Sequence, residues 1–586
     1  MAYIVGVNAR RSMKKLLPAR EPDSAAASSW MDRVAPVVTT MFGADLRSLA
    51  VLRIVLAMIV LIDLAGRTAN LRVHYTDEGV LPRAGLMQTL NPYRWSLGLI
   101  NGSEGFAQLL FLATAGAAIC LLLGYKTRLM MVIVWILMMS IQIRNPLVLS
   151  GADTLLRVLL FWGMFVPLGA VWSIDHRRDP EPKRYAMSFV SFGTLGLFLQ
   201  IAFMYWFTAA LKTGDEWREN GTALFYALRA EQITTPFGEW LQQFTLLLQG
   251  LTWGTMALEV IAPVLLFSPF WNGKLRMAAI LSLMSLHFGI MLTMNLGIFP
   301  WTSAFCMVAF LPSSFWNAAE ERARAVMQVR TGRFGELRGA LEQSVQGVAQ
   351  AFRQQERLGL SYNSSSTPPA SYGPDPADRA ASTTATAPSS NAAPDPGDEH
   401  TPERQRVRLR SSLWLNAVAA FFLVFIFGWN MSTASDFKMP DNSRQVAYSI
   451  GVYQQWAMFS PHPPRSTSWH VLVGQLENGQ MVDMLPPILR NDLSLIEPAT
   501  WDRPDNISGS YYGDKYWRKY LDAIGMSNFD GEAREFAGYV CRTWNENYSG
   551  PMRVKALVYI KVVEPTLEDG GTGEQKKGKT FEYSCA

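Results

Sequence analysis

Nine stretches of this chain are apolar for long enough to predict membrane-crossing helices, and polar or basic turns separate them. The first, residues 49–66, is interrupted by Arg53 and Asp63, which lie nearly three turns apart. Charges so spaced share a face, and that face is predicted to look into a bundle rather than into lipid. The second and third stretches, 105–124 and 129–143, are joined by the turn GYKTR. RNPLVLSGADTLLR then breaks the pattern: Arg144, Asn145 and Pro146 end one helix, and Asp153 opens the fourth, which runs to about residue 172. Broken backbone at membrane depth is tolerated only where protein or a water-filled cavity surrounds it. Asp153 and Arg157 have the spacing of an ion pair across one helical turn.

The fifth stretch carries QIAFMYWFTAALKTGDEW, residues 200–217, in which an apolar helix runs straight into Lys212 and a polar turn. The sixth, 244–267, contains Glu259 and Pro263 and reads as a kinked helix. The seventh, 277–295, contains His287, and LGIFPW leads into the eighth, which ends near Pro312. The last, 413–429, follows the basic run RQRVRLR. The third and eighth are short enough to suit re-entrant segments.

These elements predict an all-α polytopic membrane bundle of about nine transmembrane helices with a C-terminal β-rich or mixed exoplasmic domain. The boundaries follow from composition: a tail at 1–45, the bundle at 46–312, a charged amphipathic segment at 313–357, a Ser/Thr/Ala/Pro-rich linker at 358–403, the final helix at 404–430 and the domain at 431–586. In that domain SWHVLVGQL and MRVKALVYIKVVE read as strands and YWRKYLDAI as a helix. The aromatic residues of QQWAMFSPHPP, which precedes it, suit an interfacial belt.

Charge sets the orientation. The basic N-terminal tail, GYKTR, HRRDPEPKR, the turn at Lys274 and RQRVRLR all fall on one side of a nine-span arrangement, which predicts that side to be the cytoplasm. Lys212, the Asn145 break, the FPW turn and residues 431–586 then lie on the exoplasmic side. No apolar h-region follows the basic start, so no cleaved secretory signal is predicted, and a bacterial inner membrane is the expected location. With 49% hydrophobic and 17% charged residues the chain has a membrane composition. Its net charge of +5 is dispersed, with no basic stripe for nucleic acid. Its four cysteines form no CxxC pair, and no metal is predicted. Cys120 and Cys306 lie in apolar helices, whereas Cys541 and Cys585 are able to pair if their segment is exported. GxSxG, HExxH, P-loop, GxGxxG and CxxCH motifs are absent.

Candidate chemistry rests on Lys212. A lysine at a helix end often reaches for lipid headgroups, but one desolvated in an apolar pocket loses proton affinity and serves as a general base. A helix-buried histidine such as His287 is either a satisfied hydrogen-bond partner or, beside such a base, a holder of developing negative charge. Asn145, Asp153 and Asn295 lie in the same half of the predicted membrane.

Five segments, HYTDEGVLP, RNPLVLSGADTLLR, YWFTAALKTGDEW, HFGIMLTMNLGIFPW and QQWAMFSPHPP, in that order, resemble the HTTM (horizontally transferred transmembrane) family, which includes the vitamin K-dependent γ-glutamyl carboxylases. The resemblance covers roughly residues 46–476 without the linker. It implies a lyase-type carboxylase acting on the exoplasmic side, with a reduced quinone, oxygen and carbon dioxide as co-substrates and a peptide or protein as acceptor. Lys212 would take a proton from the hydroquinone, and the strong base formed with oxygen would remove the γ-proton of a glutamate, to which carbon dioxide adds. His287 would assist it, and Asn145, Asp153, Arg157, Tyr205, Trp217 and Asn295 would contact quinol or substrate. Two features depart from the carboxylase pattern: RNPLVLSGAD has no histidine, and residues 431–586 are fewer than the carboxylases devote to binding a propeptide. A non-enzymatic role in envelope assembly or export is the alternative, with the same polar residues as structural pairs. A transporter would show an internal inverted repeat, and none is evident.

Overall fold

The computed structural model describes residues 34–179, 186–357, 412–510, 514–526 and 528–585. The basic tail before residue 34, part of HRRDPEPKR, the linker at 358–403 and RQRVRLR lie outside the described residues. Seven described helices are long and apolar enough to cross a membrane: α1 (Leu46–Thr68), α2 (Glu104–Leu123), α3 (Thr127–Arg144), α5 (Phe192–Leu211), α6 (Thr245–Leu266), α7 (Asn272–Thr293) and α10 (Leu413–Ala434). The chain is a multi-pass membrane protein.

The predicted fourth and eighth spans are shorter than their hydrophobic patterns. Helix α4 (Gly151–Gly163) has 13 residues, about 20 Å of rise against a hydrocarbon layer of about 30 Å. Helix α8 (Phe299–Cys306) is continued only by a 3₁₀ turn, Met307–Phe310. The apolar runs extend through irregular backbone, so hydropathy overstates helix length in both places. The third stretch, expected to be short, is the 18-residue α3 and is long enough to cross.

Buried charge makes the irregular backbone tolerable. Arg53 donates to the carbonyls of Leu168 at 3.0 Å and Trp172 at 2.7 Å, satisfying the chain that follows α4. Asp63 accepts from Arg67 at 2.6 Å, and Arg67 also pairs with Asp153 at the start of α4. Arg53 and Asp63 of α1 therefore both face the interior, as their spacing predicts.

The C-terminal region is a mixed domain. Its antiparallel sheet has the order β2 (Met481–Asp483), β1 (Ser466–Leu476), β3 (Val554–Pro565), β4 (Lys576–Ser584). Helices α11 (Lys515–Ile524) and α12 (Asp530–Asn547) pack with it into a second core, which also takes in Val80, Leu81 and Leu86 from the long connection after α1. Tyr520 seals this joint by donating to the Val80 carbonyl at 2.9 Å. Cys541 and Cys585 form a disulfide, Cα–Cα 5.6 Å. Trp456 of QQWAMFSPHPP is fully buried and donates to Gln454 at 2.9 Å, so this segment packs into the bundle core and is not an interfacial belt. The amphipathic segment forms one 45-residue helix, α9 (Ser313–Arg357), most of which belongs to a compact unit of its own.

Candidate functional site

The helix faces of α5, α6 and α7 enclose a chamber of about 1050 Å3. Helix α5 presents Met204, Tyr205, Thr208 and Lys212, whose helical spacing stacks them along one side. Helix α6 contributes Leu251, Leu258 and Glu259, and α7 contributes Leu286, His287 and Ile290. The end beneath the C-terminal domain is formed by Trp217, Met458, Phe459, Arg518 and Lys519. Leu247 and Leu251 line the chamber and are 50% and 42% exposed, so the chamber is open along its apolar α6 side.

Lys212 ends α5 and turns inward. Its Nζ donates to Oε1 of Glu259 at 2.7 Å and to Oε2 at 2.8 Å, and it lies 4.2 Å from the ring centre of Trp217. The lysine is 3% exposed, which excludes a side chain reaching for headgroups. An ion pair so desolvated holds only while both partners are present. Trp217 is fixed in turn, its Nε1 donating to the Phe459 carbonyl at 2.9 Å. One chamber wall also holds Tyr205 and His287, joined by a 2.8 Å hydrogen bond between the phenol and Nε2. His287 Nδ1 is buried without a hydrogen-bond partner among the described residues.

The family model of the HTTM domain matches residues 43–316. The chain carries an HTTM domain. No curated protein and no solved structure matches it. The HTTM domain thus supplies α5, α6 and α7, and residues C-terminal to it supply Met458, Phe459 and, from α11, Arg518 and Lys519.

Of the residues expected at the site, Lys212, His287, Tyr205 and Trp217 meet at the chamber, and four do not. Asn145 caps the turn after α3, accepting from Leu147 N at 3.2 Å and donating to the His74 carbonyl at 3.1 Å. Asp153 does not pair with Arg157. It closes a capping box with Ser150, whose N and Oγ lie 2.7 and 3.0 Å away, and its other oxygen meets Arg67. A carboxylate at N3 points back toward the helix start, away from the residue four positions on. Arg157 instead donates to Gln142 at 2.9 Å and to the carbonyls of Gly451 at 2.7 Å and Tyr453 at 3.2 Å. Asn295 is exposed and acts through its backbone, its N donating to the Ile233 carbonyl and its own carbonyl accepting from Arg518 at 3.1 Å.

Three further residues take part in or brace the site. Glu259 reads locally as part of a kink, although a lone carboxylate in an apolar run signals the need for a cation. Glu216, fully buried, pairs with Arg465 and with His462 Nδ1 at 2.9 Å, locking the TGDEW turn to the SPHPP turn. Burial pushes its carboxyl up, but the hydrogen bond from His462 and the Arg465 guanidinium outweigh that and hold it below the usual range. Lys519 carried no sequence signal at all, since it lies in an ordinary amphipathic helix.

Proposed function

We propose that this chain is a membrane enzyme of the carboxylase type that works on a reduced quinone, with Lys212 as proton acceptor and Glu259 as its partner. One observation carries the reading: a buried lysine–carboxylate pair in the wall of a chamber that is open along its apolar α6 side. A lipid-soluble substrate enters a bundle by such a route, and a hydrophobic chamber with few convergent polar groups is the usual form of a small-molecule site.

The residues fit a quinol head. Trp217 offers a flat aromatic wall, the unpartnered His287 Nδ1 and the Tyr205 hydroxyl offer polar contacts, and the apolar remainder suits a tail. A reduced quinone supplies the reducing equivalents that turn oxygen into a strong base. The protein's part is proton handling. Shifting one proton from Lys212 Nζ to Glu259 along a 2.7 Å hydrogen bond leaves an amine able to accept a proton from a hydroxyl, with no net charge created in the apolar wall. The Arg218 guanidinium, donating from Nε to the Lys212 carbonyl at 3.0 Å, holds the end of α5 in place. In this reading the chamber end beneath the C-terminal domain faces the exoplasm of a bacterial inner membrane, and the acceptor of carbon dioxide is a peptide or protein presented there.

The non-enzymatic alternative rests on the same pair, since a lysine fully answered by a glutamate is also a sound structural fastener. The test is oxidation of reduced naphthoquinol and fixation of labelled bicarbonate by purified full-length protein, wild type beside Lys212→Ala and the double variant Lys212→Met/Glu259→Met. The enzymatic reading predicts turnover in the wild type and none in either variant, with the double variant folded. Silence from folded wild type with added acidic peptide, together with no naphthoquinol binding, refutes it and favours a role in envelope assembly or export.

A further inference from the structure

The end of the chamber beneath the C-terminal domain carries a cation with no carboxylate in hydrogen-bond or ion-pair contact among the described residues. Lys519 on α11 lines the chamber, is half-buried, and makes no hydrogen bond or ion pair among the described residues. Three buried cations elsewhere in the described residues are each answered: Lys212 by Glu259, Arg67 by Asp63 and Asp153, and Arg157 by Gln142 and two carbonyls. The acids that act on Lys519 do so from a distance, and each has a nearer neighbour. Asp153 is held by Arg67 and Ser150, and Asp522 lies 3.5 Å from His470. A desolvated ammonium without a partner costs free energy that a ligand bringing an anion recovers.

The other end of the same chamber is lined mainly by hydrocarbon from α6 and α7. At Gly254 and Gly289, which line it, an added Cβ would meet nothing within 4 Å. We propose that the chamber takes a long-chain carboxylic acid, its carboxylate bonded by Lys519 and its hydrocarbon directed to the apolar α6 side. The volume of about 1050 Å3 is at the top of the range for a single enclosed small molecule, roughly 300–1,000 Å3, which favours one chain over a two-chain phospholipid. Burial and the neighbouring Arg518 lower the proton affinity of Lys519, with Asp522 and Asp153 opposing only in part. An arriving carboxylate restores that affinity, so acid binding is linked to proton uptake and weakens as pH rises through the lowered lysine range. The inference needs only the chamber and stands whether or not quinol chemistry takes place in it.

The test is equilibrium binding of a fluorescent long-chain fatty acid, and of the matching alcohol, to full-length protein in zwitterionic nanodiscs. The wild type should prefer the acid by about tenfold or more, the usual worth of a hydrogen bond to a charged group. Lys519→Gln should abolish that preference and leave alcohol affinity unchanged, and Lys519→Arg should keep it. Gly254→Phe should weaken acid and alcohol together, with an unchanged unfolding midpoint. Equal affinity for acid and alcohol in the wild type, or a preference that survives Lys519→Gln, overturns the proposal. So does displacement of the acid by phosphatidylglycerol at equal concentration, which would make the site an anionic-lipid site. Acid preference without naphthoquinol turnover leaves this inference intact, and turnover without acid preference refutes it alone.

Discussion

Removing one member of the Lys212–Glu259 pair should be far worse for the fold than removing both. The two hydrogen bonds are 2.7 and 2.8 Å long, the side chains are 4% and 8% exposed, and Glu259 makes no other hydrogen bond among the described residues. Solvent therefore screens the pair little, and breaking a buried pair from one side costs about 3–5 kcal/mol. In Lys212→Met the stranded carboxylate has one escape, which is to take up a proton. At pH 7 neutralising an ordinary glutamate costs about 4 kcal/mol, and at pH 5 about 1 kcal/mol. The Lys212→Met defect should accordingly shrink by about 3 kcal/mol between pH 7 and pH 5. Lys212→Met/Glu259→Met, with no charge to strand, should recover wild-type stability to within about 1 kcal/mol at both pH values. Unfolding of the purified protein in detergent, followed by tryptophan fluorescence at the two pH values, measures all three proteins. A double variant as unstable as the single one, or a single variant indifferent to pH, would refute the claim that the pair is buried and mutually dependent.

The remaining predictions concern the framework around the chamber. Reducing the Cys541–Cys585 disulfide, whose partners are 44 positions apart, should destabilise the C-terminal domain by about 4 kcal/mol on loop-entropy grounds, read as a lower unfolding midpoint in dithiothreitol. Burial pushes the Asp483 carboxyl up to about 6, so the folded state keeps a proton that the unfolded state releases near its ordinary range. That residue's stabilisation is present at low pH and is lost as pH rises from about 4 to about 6, by roughly 3 kcal/mol, and Asp483→Asn should flatten this part of the pH–stability profile. Arg157→Met strips donors from the carbonyls of Gly451 and Tyr453 and from Gln142, and should accelerate hydrogen exchange at residues 451–456 at least tenfold. Trp217→Phe keeps an aromatic ring near Lys212 but deletes the bond to the Phe459 carbonyl, costing about 1 kcal/mol of stability in the same fluorescence assay.

Features that depend on local pattern were readable from the chain, and features that depend on pairing across the fold were not. Lys212 stands out because an apolar helix cannot ignore an ionisable side chain, and the strand-like runs around His470 and Tyr559 are the central strands β1 and β3. The choice of Glu259, 47 positions away, as its partner depends on how α5 meets α6, which no local spacing encodes. Local spacing even misled at Asp153 and Arg157, where a capping box and the tertiary demand of Gly451 and Tyr453 outweigh a helical ion pair of a few tenths of a kcal/mol. Hydropathy misjudged α4 and α8 for a related reason: it registers burial in an apolar medium, and residues 164–172 are placed there by Arg53 without being helical. Lys519 was unreadable because its meaning comes from what α11 faces.

Photolabelling is the most direct way to learn whether a lipid-soluble reductant sits in the chamber against Lys212. A naphthoquinone carrying a photoreactive group would be reduced, equilibrated with full-length protein in nanodiscs, irradiated, and its adducts mapped by mass spectrometry. Binding in the chamber predicts adducts concentrated on chamber-facing residues of α5, α6 and α7, such as Tyr205, Leu251 and His287, and removed by excess unlabelled naphthoquinol. Adducts spread over the lipid-facing residues of α2 and α10, and indifferent to competitor, would contradict it.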